Sequence, residues 1–443
     1  MKRFGILTWA ATTIAIAAIA LWPSYVKHAE SAARAASLPT MAPVTADYLQ
    51  RDKSVAFWEG MLNKHLYGDM LSPRQLAEQY LQRYRERGDI GDVLRAEHAA
   101  KLSLERQPRG NLPGELELAS IFLTLHRFHD AIWVTKHVES YDRGDDSMST
   151  REAGLDMEVG DYARAHRLLD SVKPANRDDG WRVVESRYLE LTGQLAKARD
   201  MLAIASAYQN QNFDAPAQQR AWYFFRQGEM AFEAGDNDTA LADESEAITV
   251  FPSFADGFRA RARMECALHQ WQKCLSDATT SADEVPYPET LGYKADAERA
   301  LGDPSAAAQT DDLIATVEKI GNTQHISDRL LAIYYSEHRI NTADAYAIAK
   351  GELRVRDDIF TEDTLAWAAA MDGKWNEARV AIAKAGRLGT ENSLLQYHAG
   401  VIALHFGKRQ EAKLHFERAL ALNPEFHPFY ADAARSQLAA LAP

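Results

Sequence analysis

Three histidines in the N-terminal half have the spacing of metal ligands. His126 and His129 form an H-x-x-H motif, and His137 follows eight residues later. Imidazole nitrogens bind zinc, and Asp130 could add a carboxylate ligand beside them. The motif also spans a predicted turn between two helices, where histidine is an ordinary polar residue. We therefore predict no metal site here.

The two cysteines, Cys266 and Cys274, flank another predicted turn between helices. In an oxidising compartment they could form a disulfide bridge between the two helices. Against this, the predicted register gives Cys274 a small-residue packing position and turns Cys266 toward the inner surface of the stacked helices. A bridge needs Cα atoms within about 7 Å. The sequence therefore leaves the pairing open.

Motifs of common enzymes are missing from the sequence. It has no G-x-S-x-G, G-x-x-x-x-G-K, H-E-x-x-H or G-x-G-x-x-G pattern. His398 and His405 lie seven residues apart on one predicted helical face, without Asp, Glu or Cys at ligand spacing. We predict neither catalysis nor a cofactor, and keep an enzyme with an unrecognised site as an alternative.

The composition limits the fold classes and the kinds of partner that are expected for the chain. The chain has 443 residues, with 50 Lys and Arg against 63 Asp and Glu, a net charge of −13. Nucleic-acid-binding surfaces normally carry a basic excess, so we predict no nucleic-acid partner. With 24 Gly and 15 Pro, both are below their usual share, which disfavours turn-rich all-β folds.

The N-terminus has the pattern of an export segment. Lys2 and Arg3 precede an uncharged run at 4–26, which is either a secretory signal peptide with a small-x-small site at 18–20 or a transmembrane anchor. Both place the remaining chain in the periplasm or another extracytoplasmic compartment. Residues 27–46, rich in Ala, Ser, Thr and Pro, are typical of a linker.

Glycines and small residues then recur with a period near 34 residues. Gly373 and Gly407 are 34 apart, and so are Ala378 and Ala412. Between them the apolar residues follow a period near 3.6, so each unit predicts two helices joined by a tight turn. A single helical pair cannot cover its own apolar face and must stack on its neighbours.

These units resemble the tetratricopeptide repeat family over about residues 70–443. The unit at 393–426 places the consensus residues as Gly400, Gly407, Ala412, Phe416, Ala419 and Pro424. The unit at 221–254 places them as Phe224, Gly228, Gly235, Ala240, Ala247 and Pro252, with Glu244 where an aromatic residue is usual. Weaker matches centre on Ala96, Ala131, Ala165, Ala198, Cys274, Ala307, Ala345 and Ala378.

The resemblance implies an all-α fold, an α-α superhelix of about ten helical hairpins that follows the N-terminal signal or anchor helix. We divide the chain into the segment 1–26, the linker 27–46, N-terminal repeats at 47–220, and C-terminal repeats at 221–443. Helices at 47–70 and 429–441 should open and close the solenoid. Longer spacings predict insertions around 203–219 and 321–328.

In such a superhelix the first helix of each pair lines the concave groove. The register then predicts a set of partner-binding residues: Trp222, Phe225, Arg226, Arg259, Arg263, Tyr293, Arg299, Trp367, Tyr397 and His398. Aromatic residues with arginine are typical of peptide recognition. The alternative is that these arginines form ion pairs with neighbouring carboxylates such as Glu229, Asp256, Glu265 or Asp296.

The predicted function is a non-catalytic scaffold or assembly factor that binds a protein or peptide of unknown identity in this groove. The Lys and Asn pattern with which some family members hold peptide C-termini is missing, because Phe225 and Glu229 occupy the places where it would begin. A carbohydrate-binding or polysaccharide-export accessory is the alternative, since aromatic-lined solenoids can also hold sugars.

Overall fold

The computed structural model describes residues 50–64, 67–141, 144–212, 214–324 and 329–442. The predicted export segment at 1–26 and the linker at 27–46 lie outside these residues. Among the helices that are described, none has the length and apolar character to cross a bilayer.

The described chain consists of α-helices joined by short connections, without a β-strand. In chain order they are α1 (Arg51–Leu62), α2 (Leu71–Arg87), α3 (Ile90–Arg106), α4 (Leu112–Thr124), α5 (Phe128–Glu139), α6 (Asp146–Glu158), α7 (Tyr162–Ser171), α8 (Asp179–Leu191), α9 (Leu195–Gln209), α10 (Ala217–Glu233), α11 (Asn237–Val250), α12 (Ala255–Ala267), α13 (Trp271–Glu284), α14 (Pro288–Ala300), α15 (Pro304–Gln324), α16 (Arg329–His338), α17 (Thr342–Glu352), α18 (Ile359–Met371), α19 (Trp375–Ala385), α20 (Ser393–His405), α21 (Arg409–Leu422) and α22 (Tyr430–Leu441).

These helices pack as ten consecutive antiparallel hairpins, from hairpin 1 (α2 and α3) to hairpin 10 (α20 and α21). The predicted opening and closing helices are observed as α1 and α22. The first expected insertion falls where α9 runs on to Gln209 before α10 begins. The second overlaps residues 325–328, outside the described chain. The all-α solenoid of about ten hairpins is confirmed.

Small residues hold the two helices of each hairpin together. At the position where its two helices cross, each hairpin has a small residue with at most 1% of its surface exposed: Ala96, Ala131, Ala165, Ala198, Ala240, Cys274, Ala307, Ala345, Ala378 and Ala412. Helices approach closely only where side chains at the crossing are small. The repeat period therefore identified the crossing points correctly.

The second turn of the superhelix rests on the first along a contact that we call the seam. At Gly160 and Gly193, both with positive φ, a methyl group would overlap the carbonyl oxygens of Asp357 and Gly389 respectively. At Gly235 it would lie 2.7 Å from the carbonyl oxygen of Leu422. The hairpin turns of hairpins 3, 4 and 5 thus contact the chain that leaves hairpins 8, 9 and 10.

Hydrogen bonds cross the seam beside these glycines. The hydroxyl of Thr390 donates to the carbonyl oxygen of Leu191 (2.5 Å). The side-chain amide of Asn423, fully buried, donates to the carbonyl oxygen of Phe232 (2.7 Å). Their partners lie 199 and 191 residues away in sequence, so a pattern with a 34-residue period contains no signal for them.

Cys266 and Cys274 form a disulfide between α12 and α13, with 5.2 Å between their Cα atoms. The register argument against the bridge is wrong. Cys266 has no exposed surface, because this face of α12 lies inside the hairpin instead of turning toward the groove.

Candidate functional site

The concave face of hairpins 2 to 5 encloses a cavity of about 850 Å³, which we call the inner cavity. It is lined mainly by α4, α6, α8 and α10, the first helices of these hairpins. Its apolar lining includes Leu123, Met148, Leu155, Val183, Val184, Trp222 and Met230. Its charged lining comprises Asp145, Asp146, Arg151, Glu158, Asp178, Arg187 and Arg226. The size falls in the range typical of ligand pockets.

From the inner cavity a row of alternating charges continues across α8, α10, α12 and α14, and we call it the inner ladder. Glu190 pairs with Arg187 (2.8 Å) and with Arg226 (3.0 Å). Arg226 also pairs with Glu229, which lies 4.0 Å from Arg263. The carboxylates of one helix therefore neutralise the guanidinium groups of its neighbours.

The ladder ends at α14. Arg259 pairs with Asp256 (3.1 Å) on its own helix and with Glu289 (2.7 Å) on α14. The hydroxyl of Tyr293 donates to the same Glu289 carboxylate (2.8 Å). The groups that sequence reasoning offered to a partner are thus engaged within the chain, as the ion-pair alternative proposed.

Burial and ion pairing have opposite effects on the pKa values of the carboxyl groups along this ladder. Burial alone would raise the pKa of Glu190, but Arg187 and Arg226 more than offset it, so the pKa is lowered. Burial raises the pKa of Glu233 to about 7, because Arg263, 3.9 Å away, offsets it only in part. Glu233 also accepts a hydrogen bond from Asn392 (2.9 Å) across the seam.

Arg151 differs from these arginines. Within the described residues it forms no ion pair, and its guanidinium donates to the hydroxyl of Ser120 (3.2 Å). Burial lowers its pKa, and the opposing influence of Glu117 is too weak to restore it. A desolvated cation without a bonded anion is costly, and this one lines the inner cavity.

The structure brings five of the predicted contact residues to the concave face. Trp222 and Arg226 line the inner cavity, while Arg259, Arg263 and Tyr293 belong to the inner ladder. Their role in partner binding stays a prediction.

Arg299 has a different position. It pairs with Asp296 (3.1 Å) on its own helix and with Asp311 on α15. It therefore joins the two helices of hairpin 7, as the ion-pair alternative proposed.

The other four predicted residues are buried: Phe225, Trp367, Tyr397 and His398. The closing helix α22 covers the last three, because Tyr430 stacks on Tyr397 (4.6 Å between centroids) and lies edge-on to Trp367 (5.5 Å). Sequence register placed these rings at the groove. Tertiary packing places them in the core, where no partner reaches them without rearrangement.

Sequence reasoning missed Arg151, Arg187 and Glu190. A signal for the arginines was present, since Arg151, Arg187 and Arg226 follow one another at 36 and 39 residues, close to the repeat period. The spacing does not predict which of these arginines has a carboxylate partner, because the position of each carboxylate depends on how adjacent hairpins are rotated relative to one another.

The histidines of the H-x-x-H motif do not converge. The side chain of His126 is exposed at the turn of hairpin 2, where partial desolvation together with Arg356 and Arg329 lowers its pKa to about 4. His137 stacks on Trp133 (5.8 Å) and meets Tyr141 edge-on (5.2 Å). In the described ranges no three His, Cys, Asp or Glu side chains are arranged to hold a metal ion.

No family model and no curated protein matches the chain. Among solved structures, a tetratricopeptide repeat protein from Parabacteroides merdae is 20% identical over 59% of this chain and 98% of its own, with a TM-score of 0.32. The APC/C hetero-tetramer Cut9–Hcn1 is 12% identical over 89% and 94%, with a TM-score of 0.33. Yeast Tom70 is 13% identical over 88% and 93%, with a TM-score of 0.36.

The fold class rests on this chain's own hairpins. Ten antiparallel pairs, small residues at each crossing and glycine turns define an α-solenoid of the tetratricopeptide-repeat type.

Proposed function

We propose that this protein is a non-catalytic interaction scaffold that holds an extended segment of a partner protein in the inner cavity. The observation that carries the proposal is the cavity itself, about 850 Å³ in volume and lined by four successive first helices. It combines apolar side chains with a small number of charged ones, which is the usual composition of a recognition site. The paired charges of the inner ladder support a structural rather than a catalytic role for that row.

Site-directed photo-crosslinking in the native host tests this. A photoreactive residue in place of Val183, which lines the inner cavity, should give an adduct with a partner protein, identified by mass spectrometry. The matched control replaces Leu414, whose side chain is exposed on α21, and should give none. Equal adducts at both positions, or none at Val183, would contradict the proposal.

We also propose that the scaffold works outside the cytoplasm. The basic and apolar N-terminal sequence supports this, and so does the disulfide between Cys266 and Cys274, since such bonds persist mainly in oxidising compartments. Mass spectrometry of the non-reduced protein from its host should find the two cysteines linked. Two free thiols would count against the proposal.

Carbohydrate binding is a second candidate function, favoured by one observation. Trp133 and His137 on α5 and Tyr141, two residues after its end, form a row of rings, and Trp133 is 69% exposed. Exposed rings of this kind can stack on sugars. Binding on a glycan array that is lost in Trp133→Ala would support this candidate over the first.

A further inference from the structure

We propose that Arg151 anchors an acidic side chain of the partner segment, and that the inner cavity selects an Asp or Glu flanked by apolar residues. This inference rests on the proposed function, because it names the chemistry of the segment that the cavity holds. It follows from three features of the cavity. Arg151 has no ion-pair partner, the other charged lining residues are already bonded within the chain, and the side chains around Arg151 are apolar.

The first feature is the state of the Arg151 guanidinium. Its only hydrogen bond within the described residues goes to the Ser120 hydroxyl, so most of its five N–H donors have no protein acceptor. Burial disfavours its charged form and lowers its pKa. A carboxylate placed beside it would supply the missing charge and two acceptors in the planar geometry that guanidinium prefers.

The second feature is that the other cavity-lining charges are already engaged. Arg187 pairs with Glu190, and Arg226 pairs with both Glu190 and Glu229. Glu158 pairs with Arg356 across the seam (2.7 Å).

The three aspartates of the lining are engaged as well. Asp145 and Asp178 accept backbone N–H groups at the starts of α6 and α8, and Asp146 accepts from Asn176 (2.7 Å). Of the three arginines that line the described cavity, Arg151 is therefore the one without a carboxylate partner.

The third feature is the set of apolar side chains around Arg151. Met148 and Leu155 lie on the same helix as Arg151, and Val183 and Val184 face the cavity from α8. The side chains next to the acid should therefore be apolar. Asp145 and Asp146 at the start of α6 would repel a multiply charged group such as a phosphate, which favours a single carboxylate.

Selection from a library of random linear 12-residue peptides, displayed without a free C-terminus, tests the inference on the full-length protein. Wild type should enrich peptides with one Asp or Glu between apolar residues. Arg151→Met should lose this preference, and Arg151→Lys should weaken it. The matched control is Arg167→Met, which removes an exposed arginine of the same hairpin and should select like wild type.

The outcomes separate the two proposals. If wild type enriches no peptide, the proposed function fails and the inference fails with it. If wild type enriches peptides without an acidic residue, or if Arg151→Met keeps the acidic preference, the proposed function stands and the inference is overturned.

The strongest selected peptide then serves as a fluorescent probe. Changing its acidic residue to the amide should raise the dissociation constant about tenfold to hundredfold with wild type. With Arg151→Met the same change should have little effect, because the two substitutions remove one interaction. Additive effects would show that Arg151 has only a structural role. Loss of an unpaired, partly buried charge should leave the thermal midpoint of Arg151→Met unchanged or higher.

Discussion

Hairpin 5 and hairpin 10 follow the same repeat pattern but have different side chains at the contact between their two helices. In each, a glycine of the first helix packs against a residue of the second helix. Gly400 faces the ring of Phe416, and Gly228 faces the carboxyl group of Glu244; a methyl group on either glycine would lie 2.6 Å from the facing side chain. The backbone contact is thus the same, while the buried group is a phenyl ring in one case and a carboxyl group in the other.

Glu244 is fully buried, and neither of its carboxyl oxygens has a hydrogen-bond partner in the described residues. Burial raises its pKa well above the ordinary value of 4.5; Glu229 and Asp243 add to this, while Arg263 and Arg259 oppose it. The comparison shows that the repeat determines where helices cross. It does not ensure that each crossing is equally stable.

The two hairpins also differ at their turns. Gly235 and Gly407 have nearly the same positive φ, 73° and 72°. Gly235 lies against Leu422 across the seam, whereas no atom lies within 4 Å of a methyl group at Gly407. Hairpin 10 therefore supplies the surface on which the turn of hairpin 5 rests, and its own turn is free of this constraint.

The largest expected effect is at the crossing of hairpin 10. Phe416→Ala should lower the free energy of unfolding by about 3–5 kcal/mol, because it leaves a cavity in a fully buried site. Glu244→Ala should cost about 1 kcal/mol or less, because the lost packing is offset by removal of an unsatisfied carboxyl group. Urea denaturation of both variants measures this difference. Equal losses would mean that Glu244 stabilises its hairpin as much as the phenyl ring does.

A smaller difference is expected at the turns. Gly407→Ala should cost about 1 kcal/mol, the penalty of a left-handed backbone for alanine. Gly235→Ala should cost about 3 kcal/mol, because the added methyl group also displaces the seam. Thermal or chemical unfolding of the two variants gives the comparison. If the two costs agree within about 0.5 kcal/mol, the seam does not constrain Gly235.

The smallest effect concerns pH. In the folded state Glu244 keeps its proton above pH 4.5, whereas the unfolded chain loses it there. Its contribution is therefore full below pH 4.5 and is lost as the pH rises toward the folded pKa. Glu244→Gln should gain about 1 kcal/mol over wild type between pH 5.5 and 6.5. Paired unfolding curves at both pH values measure this gain. A constant difference between variant and wild type would show that Glu244 ionises normally.

The candidate site was predictable only in part. The period placed Trp222 and Arg226 on the concave face, because position within a repeat determines which side of the first helix faces inward. The same rule failed for Trp367 and Tyr397, because the closing helix α22 covers them. Arg151 was overlooked since its unpaired state depends on where the carboxylates of neighbouring hairpins lie.

By itself the sequence determined the hairpins, their number and their crossing points. These depend on contacts within one repeat or between adjacent repeats, which a period near 34 residues records. The tertiary structure alone decided the seam, the pairing of the inner ladder and the isolation of Arg151. Such features arise from residues that are distant along the chain or from the rotation of one hairpin on the next, and neither leaves a periodic trace.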